Sequence, residues 1–173
     1  AASAGLELVC GVELSTLHPL GRLTGSLALH LLGYFPGGEP GQGFRSWLLG
    51  VQQERRDRNR RLAARLERLG VNIRVEEVEA LGKHLTGRSH FARLMVNRGY
   101  ARSVQDAFDL YLGEGARGYV ARRGPSTFET IRQVRRAAGI PVLAHPGRSL
   151  RAAGNGREGV VAELQAAGMG GLE

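Results

Sequence analysis

The first third of the chain shows the alternation of apolar and polar residues that is typical of strands. Residues 6–16 and 27–35 both alternate in this way and contain β-branched or aromatic members. The segment from His18 to Gly25 is rich in turn residues, so these two strands are predicted to form a hairpin with a loose loop. A linker rich in glycine and proline, residues 36–43, ends this section.

The middle of the chain changes to a helical pattern. From Trp47 to Leu69 apolar residues recur every three or four positions, which predicts one long helix that stops at Gly70. Three shorter helices are predicted near 76–81, at 89–98 and after Ser103, where Ser103 resembles a helix cap. Residues 45–117 are therefore predicted to form an all-helical domain.

Strand and helix alternate again after Gly118. Ser126 resembles the cap of a helix that ends at Gly139, and it is followed by an apolar strand, 140–145, and a helix, 158–167. This order is typical of an α/β domain with a parallel sheet or barrel. We therefore expect residues 1–44 and 118–173 to form one α/β domain that carries the helical domain as an insertion.

The charge of the chain changes this picture by indicating an anionic partner. Lysine and arginine number 24 against 16 acidic residues, a net charge of +8, and nearly all of the excess is arginine, which binds phosphate with two hydrogen bonds at once. A single cysteine, Cys10, and no apolar run of about 18 residues predict an intracellular, cytoplasmic protein. Both ends resemble interrupted elements, so a fragment of a longer protein is expected.

Three residues are candidate metal ligands. Glu13 interrupts an apolar strand, His30 lies between leucines, and His145 ends an apolar strand. Each could equally be a hydrogen-bonded core residue, but together they form a usual ligand set for Zn, Mn or Fe. We expect these side chains to meet near the ends of strands, where ligand sites of parallel α/β folds gather.

Several basic residues are candidates for phosphate binding. The apolar stripe of the long helix includes Arg55, which is predicted to face a cleft, with a buried ion pair as the alternative. Arg56 and Arg58 are predicted to point elsewhere. His90, beside Arg88, falls in the first turn of a helix, where an anion is favoured. The solvated or incidental positions are predicted to be Arg60, Arg61, Arg65, Arg68, His18 and His84.

An alternative for the helix at 89–98 is that Ser89 simply caps it and His90 is exposed. Arg148, just after His145, is placed equally well to reach a phosphate or to lie on the surface.

Six short motifs, taken in order, resemble the PHP (polymerase and histidinol phosphatase) superfamily, in its branch of 3′,5′-nucleoside bisphosphate phosphatases and 5′-to-3′ exoribonucleases. The motifs are Gly11-Val-Glu-Leu-Ser15, Leu29-His-Leu-Leu-Gly33, Gln53-Glu-Arg-Arg-Asp-Arg-Asn59, Arg88-Ser-His-Phe-Ala-Arg93, Gly118-Tyr-Val120 and Ala144-His-Pro-Gly-Arg148. The resemblance implies a distorted (β/α)₇ barrel with a helical insertion and up to three divalent metal ions. Mn²⁺ is the first expectation, with Mg²⁺, Fe²⁺ or Zn²⁺ as alternatives.

The resemblance also implies site residues and a reaction. Glu13, His30 and His145 would be metal ligands, and the nucleotide and its phosphate would contact Arg55, Arg56, Asp57, Arg58 and His90. The implied reaction removes the 3′-phosphate of nucleoside 3′,5′-bisphosphates, or degrades RNA from its 5′ end, by attack of a metal-activated hydroxide on phosphorus. The expected partner is a phosphorylated nucleotide or a short RNA, and no membrane or protein partner is expected.

Departures from the family pattern leave alternatives open. The family's His-x-His segment and its further ligands have no counterpart between residues 1 and 173, so the fragment is expected to bind metal poorly and to be inactive. A non-catalytic nucleic-acid-binding module would explain the arginines alone. An accessory domain of a DNA polymerase is disfavoured by the Arg88-Ser-His-Phe-Ala-Arg93 segment. Few aromatic residues between 45 and 117 favour a small nucleotide over RNA.

Overall fold

A computed structural model describes residues 5, 7–20, 26–82 and 86–173. The chain divides into two compact units, the first made of Ala1–Leu49 and Gly124–Glu173, the second of Gly50–Arg123. The predicted tip of the hairpin, residues 21–25, and His84 lie outside the described residues. Within that part of the chain, no helix is both long enough and apolar enough to cross a membrane.

The first unit contains a four-stranded sheet in the order β1-β2-β3-β4, made of Cys10–Pro19, Ser26–Phe35, Ile140–Leu143 and Gly171–Leu172. Strands β1 and β2 form the predicted antiparallel hairpin, and β2 and β3 are also antiparallel. Only β3 and β4 are parallel. The expected α/β class is confirmed, but the sheet is mixed, because a hairpin connection reverses the chain while the helical crossover from β3 to β4 does not.

The helices fall where the apolar periodicity predicts them, with two additions. The additions are a one-turn helix directly after His145, continued by a 3₁₀ segment at Arg151–Gly156, and a π-helical turn at Phe108–Leu112. In chain order the α-helices are α1 Gln42–Glu67, α2 Val75–Gly82, α3 Arg88–Asn97, α4 Val104–Ala107, α5 Thr127–Arg136, α6 Pro146–Ser149 and α7 Arg157–Ala166.

Helix ends carry the residues that the sequence predicts. The side chain of Ser103 accepts a hydrogen bond from the backbone N–H of Asp106, and the side chain of Ser126 accepts one from Glu129. These bonds satisfy N–H groups that have no partner inside the helix. Beyond α1, Gly70 has a φ of +80°, a left-handed conformation that glycine adopts without strain.

The core of the first unit lies on one face of the sheet. Leu27, Leu29 and Leu31 of β2 are buried at alternate positions, as expected for a strand with one face packed against helices. They pack with apolar side chains of α5 and α7, among them Ile131 and Leu164. The opposite face of the hairpin is the more exposed one.

The second unit has a separate core. Leu62 and Leu66 of α1 are buried against Phe91 and Met95 of α3, and Leu112 completes this cluster. Because Leu62 and Leu66 are one turn apart, they form the apolar face that the periodicity of α1 predicts. Among the described residues of this unit there is no strand, so this core keeps the helices around α1 together.

His18 corrects one prediction. It does not lie in a polar loop, because β1 begins at Cys10 and continues to Pro19, and so the alternation buries His18 together with Leu14 and Thr16. Its Nε2 lies 3.3 Å from Oε2 of Glu163, and its ring centroid lies 5.2 Å from that of Phe128. Burial lowers the pKa of His18, an effect that the nearby Glu163 carboxylate only partly opposes.

This lowered pKa predicts a loss of stability on acidification. Because folding holds the pKa of His18 below its unfolded value of 6.5, the unfolded chain takes up the proton first as the pH falls. The stability that neutral His18 contributes is therefore fully present above pH 6.5, and it is lost as the pH falls toward the pKa of His18 in the folded protein. We expect urea unfolding between pH 8 and pH 5 to show a smaller loss of free energy of unfolding for His18→Gln than for the native chain. The variant Glu163→Gln should show a larger loss, since it removes the group that raises the pKa; equal losses in all three proteins would contradict this assignment.

Candidate metal centre and arginine cluster

Glu13 and His30 meet on the open face of the β1–β2 hairpin. In the register of this pair, Ser15 is opposite His30 and Glu13 is opposite Leu32, so Glu13 and His30 are diagonal neighbours on one face. Leu14 and Leu31 alternate with them and are buried on the other face. The two ligand candidates therefore lie inside the strands, and not near strand ends as expected. The expectation applies to parallel strands, whereas Glu13 and His30 come from an antiparallel pair.

His145 reaches the same place from the end of β3. It follows Ala144, whose N–H donates to the carbonyl oxygen of His30 at 3.0 Å. His145 has a left-handed backbone conformation, φ 37° and ψ 58°, and it is the cap residue before α6. A side chain other than glycine adopts this conformation at a cost, and such strain is concentrated at functional sites. The turn directs the imidazole toward His30, with 5.0 Å between the ring centroids.

The donor atoms of these three residues converge. Nδ1 of His30 lies 2.7 Å from Oε1 of Glu13, and Nε2 of His145 lies 3.2 Å from Nδ1 of His30 and 3.6 Å from Oε1 of Glu13. Atoms bound to one ion at 2.0–2.2 Å are about 2.8 to 3.6 Å apart for bond angles from 90° to tetrahedral. The described residues thus include a group that can hold a divalent metal ion, formed by the three ligand candidates that the sequence predicts.

A hydrogen bond to Ser149 selects the nitrogen atom of His145 that faces the centre. The hydroxyl of Ser149 donates to the carbonyl oxygen of Ala144 at 3.1 Å, so its lone pair accepts the N–H of His145 Nδ1, 2.8 Å away. This tautomer leaves Nε2 of His145 free to bind a cation. Ser15 lies 3.4 Å from Nε2 of His30, on the side of the ring opposite Nδ1, which faces Glu13.

The candidate metal centre is open to solvent. The side chains of Glu13, His30 and His145 are 52%, 36% and 43% exposed. A site open in this way leaves positions for water or for further ligands.

A second group of functional candidates, the arginine cluster, lies in the helical unit. We define it as Arg55, Arg58, Arg88 and Arg122. Arg58 is 7% exposed and its Nε donates to the carbonyl oxygen of Val120 at 3.1 Å. Burial, followed by the charges of Arg88 and Arg122, lowers the pKa of Arg58 to about 10. The prediction that Arg58 points away from the apolar stripe is therefore wrong. Arg58 lies one turn from Arg55 and from Leu62, on the side of the stripe.

The arginine cluster lacks a balancing carboxylate in the described part of the chain. None of its four members forms an ion pair within 4 Å there, and Nη1 of Arg122 is buried without a hydrogen-bond partner. Burial, together with the charges of Arg88 and Arg55, also lowers the pKa of Arg122. Arg88 is held by the carbonyl oxygen of Leu112 at 3.1 Å and by the ring of Phe108. Such unbalanced buried charge favours a bound anion.

The other predicted phosphate-binding residues lie differently. Arg56 is exposed and its Nη1 is 3.4 Å from Oε1 of Gln53, while Asp57 accepts a 2.8 Å ion-pair hydrogen bond from Arg60. His90 lies in the first turn of α3, as predicted, and its Nδ1 accepts the N–H of Gly87 at 3.3 Å. Gly87, and not Ser89, is the cap residue of this helix.

Two residues of these sites were not found by sequence reasoning. Ser149 gave no signal because α6 was not predicted, although its spacing of four from His145 is that of neighbours on one helical face. Arg122 was not singled out because it follows an irregular segment with no periodicity.

Comparisons with known proteins show what the chain is similar to. The 3′,5′-nucleoside bisphosphate phosphatase of Chromobacterium violaceum is 30% identical over 179 residues, which cover 100% of this chain and 59% of the relative. The 5′-3′ exoribonuclease Rnm of Escherichia coli is 37% identical over 102 residues, covering 58% of this chain and 35% of that protein. No protein-family model matches the chain.

The chain is a homologue of bacterial phosphatases and 5′-3′ exoribonucleases. An amidohydrolase structure from Chromobacterium violaceum, with bound sulfate and no metal, matches 99% of the chain and 58% of its own length at a TM-score of 0.75 and 28% identity. A structure assigned as a metal-dependent phosphoesterase from Bifidobacterium adolescentis matches 99% of the chain and 59% of its own length, at a TM-score of 0.72 and 26% identity.

The resemblance that the six motifs indicate is thereby confirmed. This phosphoesterase homologue spans somewhat more than half the length of the phosphatase, and about a third of the exoribonuclease Rnm of Escherichia coli. The metal-dependent neighbour and the convergence of Glu13, His30 and His145 both indicate the use of a divalent metal ion.

The serine bond to His145 predicts an effect on metal affinity. We expect Ser149→Ala to weaken the binding of Mn²⁺ or Zn²⁺ by about 10-fold or more, since outer partners of metal-bound histidines contribute that much. Calorimetric titration of the complete protein measures this affinity without any need for turnover. Ser103→Ala, which removes a helix cap in the other unit, serves as the control and should leave the affinity unchanged. Equal affinity in Ser149→Ala and the native protein would contradict the role of this hydroxyl.

Proposed function

We propose that the complete protein hydrolyses phosphoesters of nucleotides or RNA with the help of divalent metal ions bound at Glu13, His30 and His145. The observation that carries this proposal is the convergence of one carboxylate oxygen and two imidazole nitrogens within 4.8 Å of one another on an open face. The names of the relatives, a phosphatase and exoribonucleases, support the reaction class.

A divalent ion at such a centre lowers the pKa of a bound water and offsets negative charge on phosphoryl oxygens. The chain supplies what keeps the ligands in place. Ser149 fixes the tautomer of His145, the β1–β2 register holds Glu13 beside His30, and the strained turn at His145 directs its ring to them. Because these ligands are oriented before any ion binds, little reorganisation is needed.

The arginine cluster is proposed to bind the phosphate groups of the substrate. Guanidinium groups bind phosphate with two parallel hydrogen bonds, and those of Arg58 and Arg122 are already partly removed from water. Positive charges that repel one another in the free protein gain a counter-charge when an anion enters. We extend the proposal to Arg56, Asp57 and His90, as the family resemblance implies.

The finer proposal concerns substrate, metal and fold. We propose that the substrate is a nucleoside 3′,5′-bisphosphate, whose 3′-phosphate is released, or the 5′ end of an RNA, and that Mn²⁺ is the preferred ion. The names of the relatives support both substrates. The proposed parent fold is the distorted (β/α)₇ barrel with the helical unit as an insertion.

Replacement of one metal-ligand candidate should distinguish metal-dependent hydrolysis from binding of the nucleotide or RNA alone. In the complete protein with Mn²⁺, Glu13→Gln should reduce release of phosphate from adenosine 3′,5′-bisphosphate, and cleavage of a 5′-phosphorylated RNA, by about 100-fold or more. Glu39→Gln removes a more exposed carboxylate from the same unit and should keep full activity. Absence of turnover in the metal-loaded native protein on both substrates would reject the enzymatic proposal.

The competing hypothesis is a non-catalytic nucleic-acid-binding module, for which the net charge of +8 is the supporting observation. It predicts RNA binding that depends strongly on salt and does not change in Glu13→Gln. The same two proteins therefore distinguish the hypotheses.

Arg122 gives a separate test of the arginine cluster. Its Nη1 makes no internal hydrogen bond in the described part of the chain and like charges surround it, so Arg122→Gln should lower the free energy of unfolding by no more than about 1 kcal/mol. The same variant should bind adenosine 3′,5′-bisphosphate about 10-fold more weakly, because a charge-assisted bond is lost. Arg45→Gln, an exposed arginine of the first unit, is the matched control. Unchanged nucleotide affinity in Arg122→Gln would exclude this residue from the site.

A further inference from the structure

A basic groove lies on the helical unit, and none of the four members of the arginine cluster lines it. We define it by Arg61 and Arg65 of α1, Arg68 of the turn after α1, and Arg123, and its volume is about 720 Å³. None of the residues that line it is acidic. The sequence alone assigned Arg61, Arg65 and Arg68 to a solvated face, and the structure has them exposed and adds that they line a concave surface.

The end of α1 and the turn after it supply this row of charge. Arg61 and Arg65 are four residues apart in α1, so their side chains project from one face, and Arg68 lies in the turn that directly follows the helix. The opposite wall of the groove is the segment around Tyr119, which brings Arg123 toward the row. Nε of Arg65 is fixed by the carbonyl oxygen of Arg117 at 2.9 Å, so the two walls are tied together.

Most of the charge in the groove is available to a ligand. In the described part of the chain, Arg65, Arg68 and Arg123 form no ion pair, while Arg61 is paired with Glu54 at 2.7 Å. Tyr119 and Val120 line the groove and also contact the arginine cluster, through the ring of Tyr119 near Arg88 and the carbonyl oxygen of Val120 bonded to Arg58. The groove and the arginine cluster therefore meet along one short segment.

We propose that the basic groove binds the sugar-phosphate backbone of single-stranded RNA beyond the nucleotide that is hydrolysed. Three guanidinium groups without an ion pair in the described part of the chain, beside a tyrosine, suit a chain of phosphates with stacked bases, whereas a single nucleotide has too few phosphates to occupy both the groove and the arginine cluster. This inference deepens the proposed function, on which it rests, because it names a polymeric substrate.

The test compares a strand with a single nucleotide. In the complete protein with metal chelated, the triple variant Arg65→Gln, Arg68→Gln, Arg123→Gln should bind a 5′-phosphorylated ten-nucleotide RNA at least about tenfold more weakly. Its slope of log affinity against log salt should shrink by about 2, since each phosphate contact on a single strand contributes about 0.7. The affinity for adenosine 3′,5′-bisphosphate should stay within about twofold.

The control is a triple variant with the same change of charge outside the groove, Arg45→Gln, Arg74→Gln, Arg102→Gln, all of exposed residues. It should retain RNA affinity within about threefold. Equal losses in the two triple variants would overturn the proposal in favour of bulk charge. A matching loss for the bisphosphate would assign the groove to the nucleotide site, and loss of binding to an acidic peptide with RNA affinity intact would assign it to a protein partner.

Circular dichroism and thermal unfolding of both triple variants verify that the helical unit is intact. Because binding is measured without turnover, the result is independent of catalysis. If the native protein hydrolyses neither substrate but the groove variant alone loses RNA affinity, the groove assignment stands and the enzymatic proposal fails. If hydrolysis is observed but the groove variant retains RNA affinity, the reverse holds.

Discussion

The pairing register of β1 with β2 is the constraint on which the candidate metal centre depends. Side chains alternate between the two faces of a strand, so this register places Leu29 and Leu31 in the core and His30 on the open face, opposite Ser15. A slip by one residue would bury His30 and expose the leucines. Burial of the leucines thus enforces the position of the ligand, and the core and the site are specified by one interaction.

The two candidate sites treat charge in opposite ways. At the metal centre a carboxylate and two imidazoles are oriented by hydrogen bonds and remain open to solvent, an arrangement that can bind a cation. In the arginine cluster the cations are partly buried, repel one another and lower the pKa of Arg58 and Arg122. A metal ion in one site and a phosphate in the other would each relieve the local imbalance, which is the electrostatic basis of the proposed phosphoester chemistry.

Helix α1 places its arginines in different environments that the helical period alone does not separate. Arg58 is buried and bonded to the carbonyl oxygen of Val120, whereas Arg61 and Arg65, three and seven residues further along, are exposed and line the basic groove. Neighbouring positions on one helical face therefore differ in burial, because other segments of the helical unit cover only some of them.

Local pattern was enough to predict the hairpin, most of the helices with their caps at Ser103 and Ser126, and the three ligand candidates. These features depend on local periodicity and on capping chemistry, which neighbouring residues specify. Other features depend on contacts between segments far apart in the chain. They are the burial of His18 against Glu163 and, among the described residues, the burial of Arg122 Nη1 without a hydrogen-bond partner, and the mixed sheet follows from the neighbour that each strand pairs with. Periodicity reports which face a side chain occupies, but only the folded chain decides which atoms that face meets.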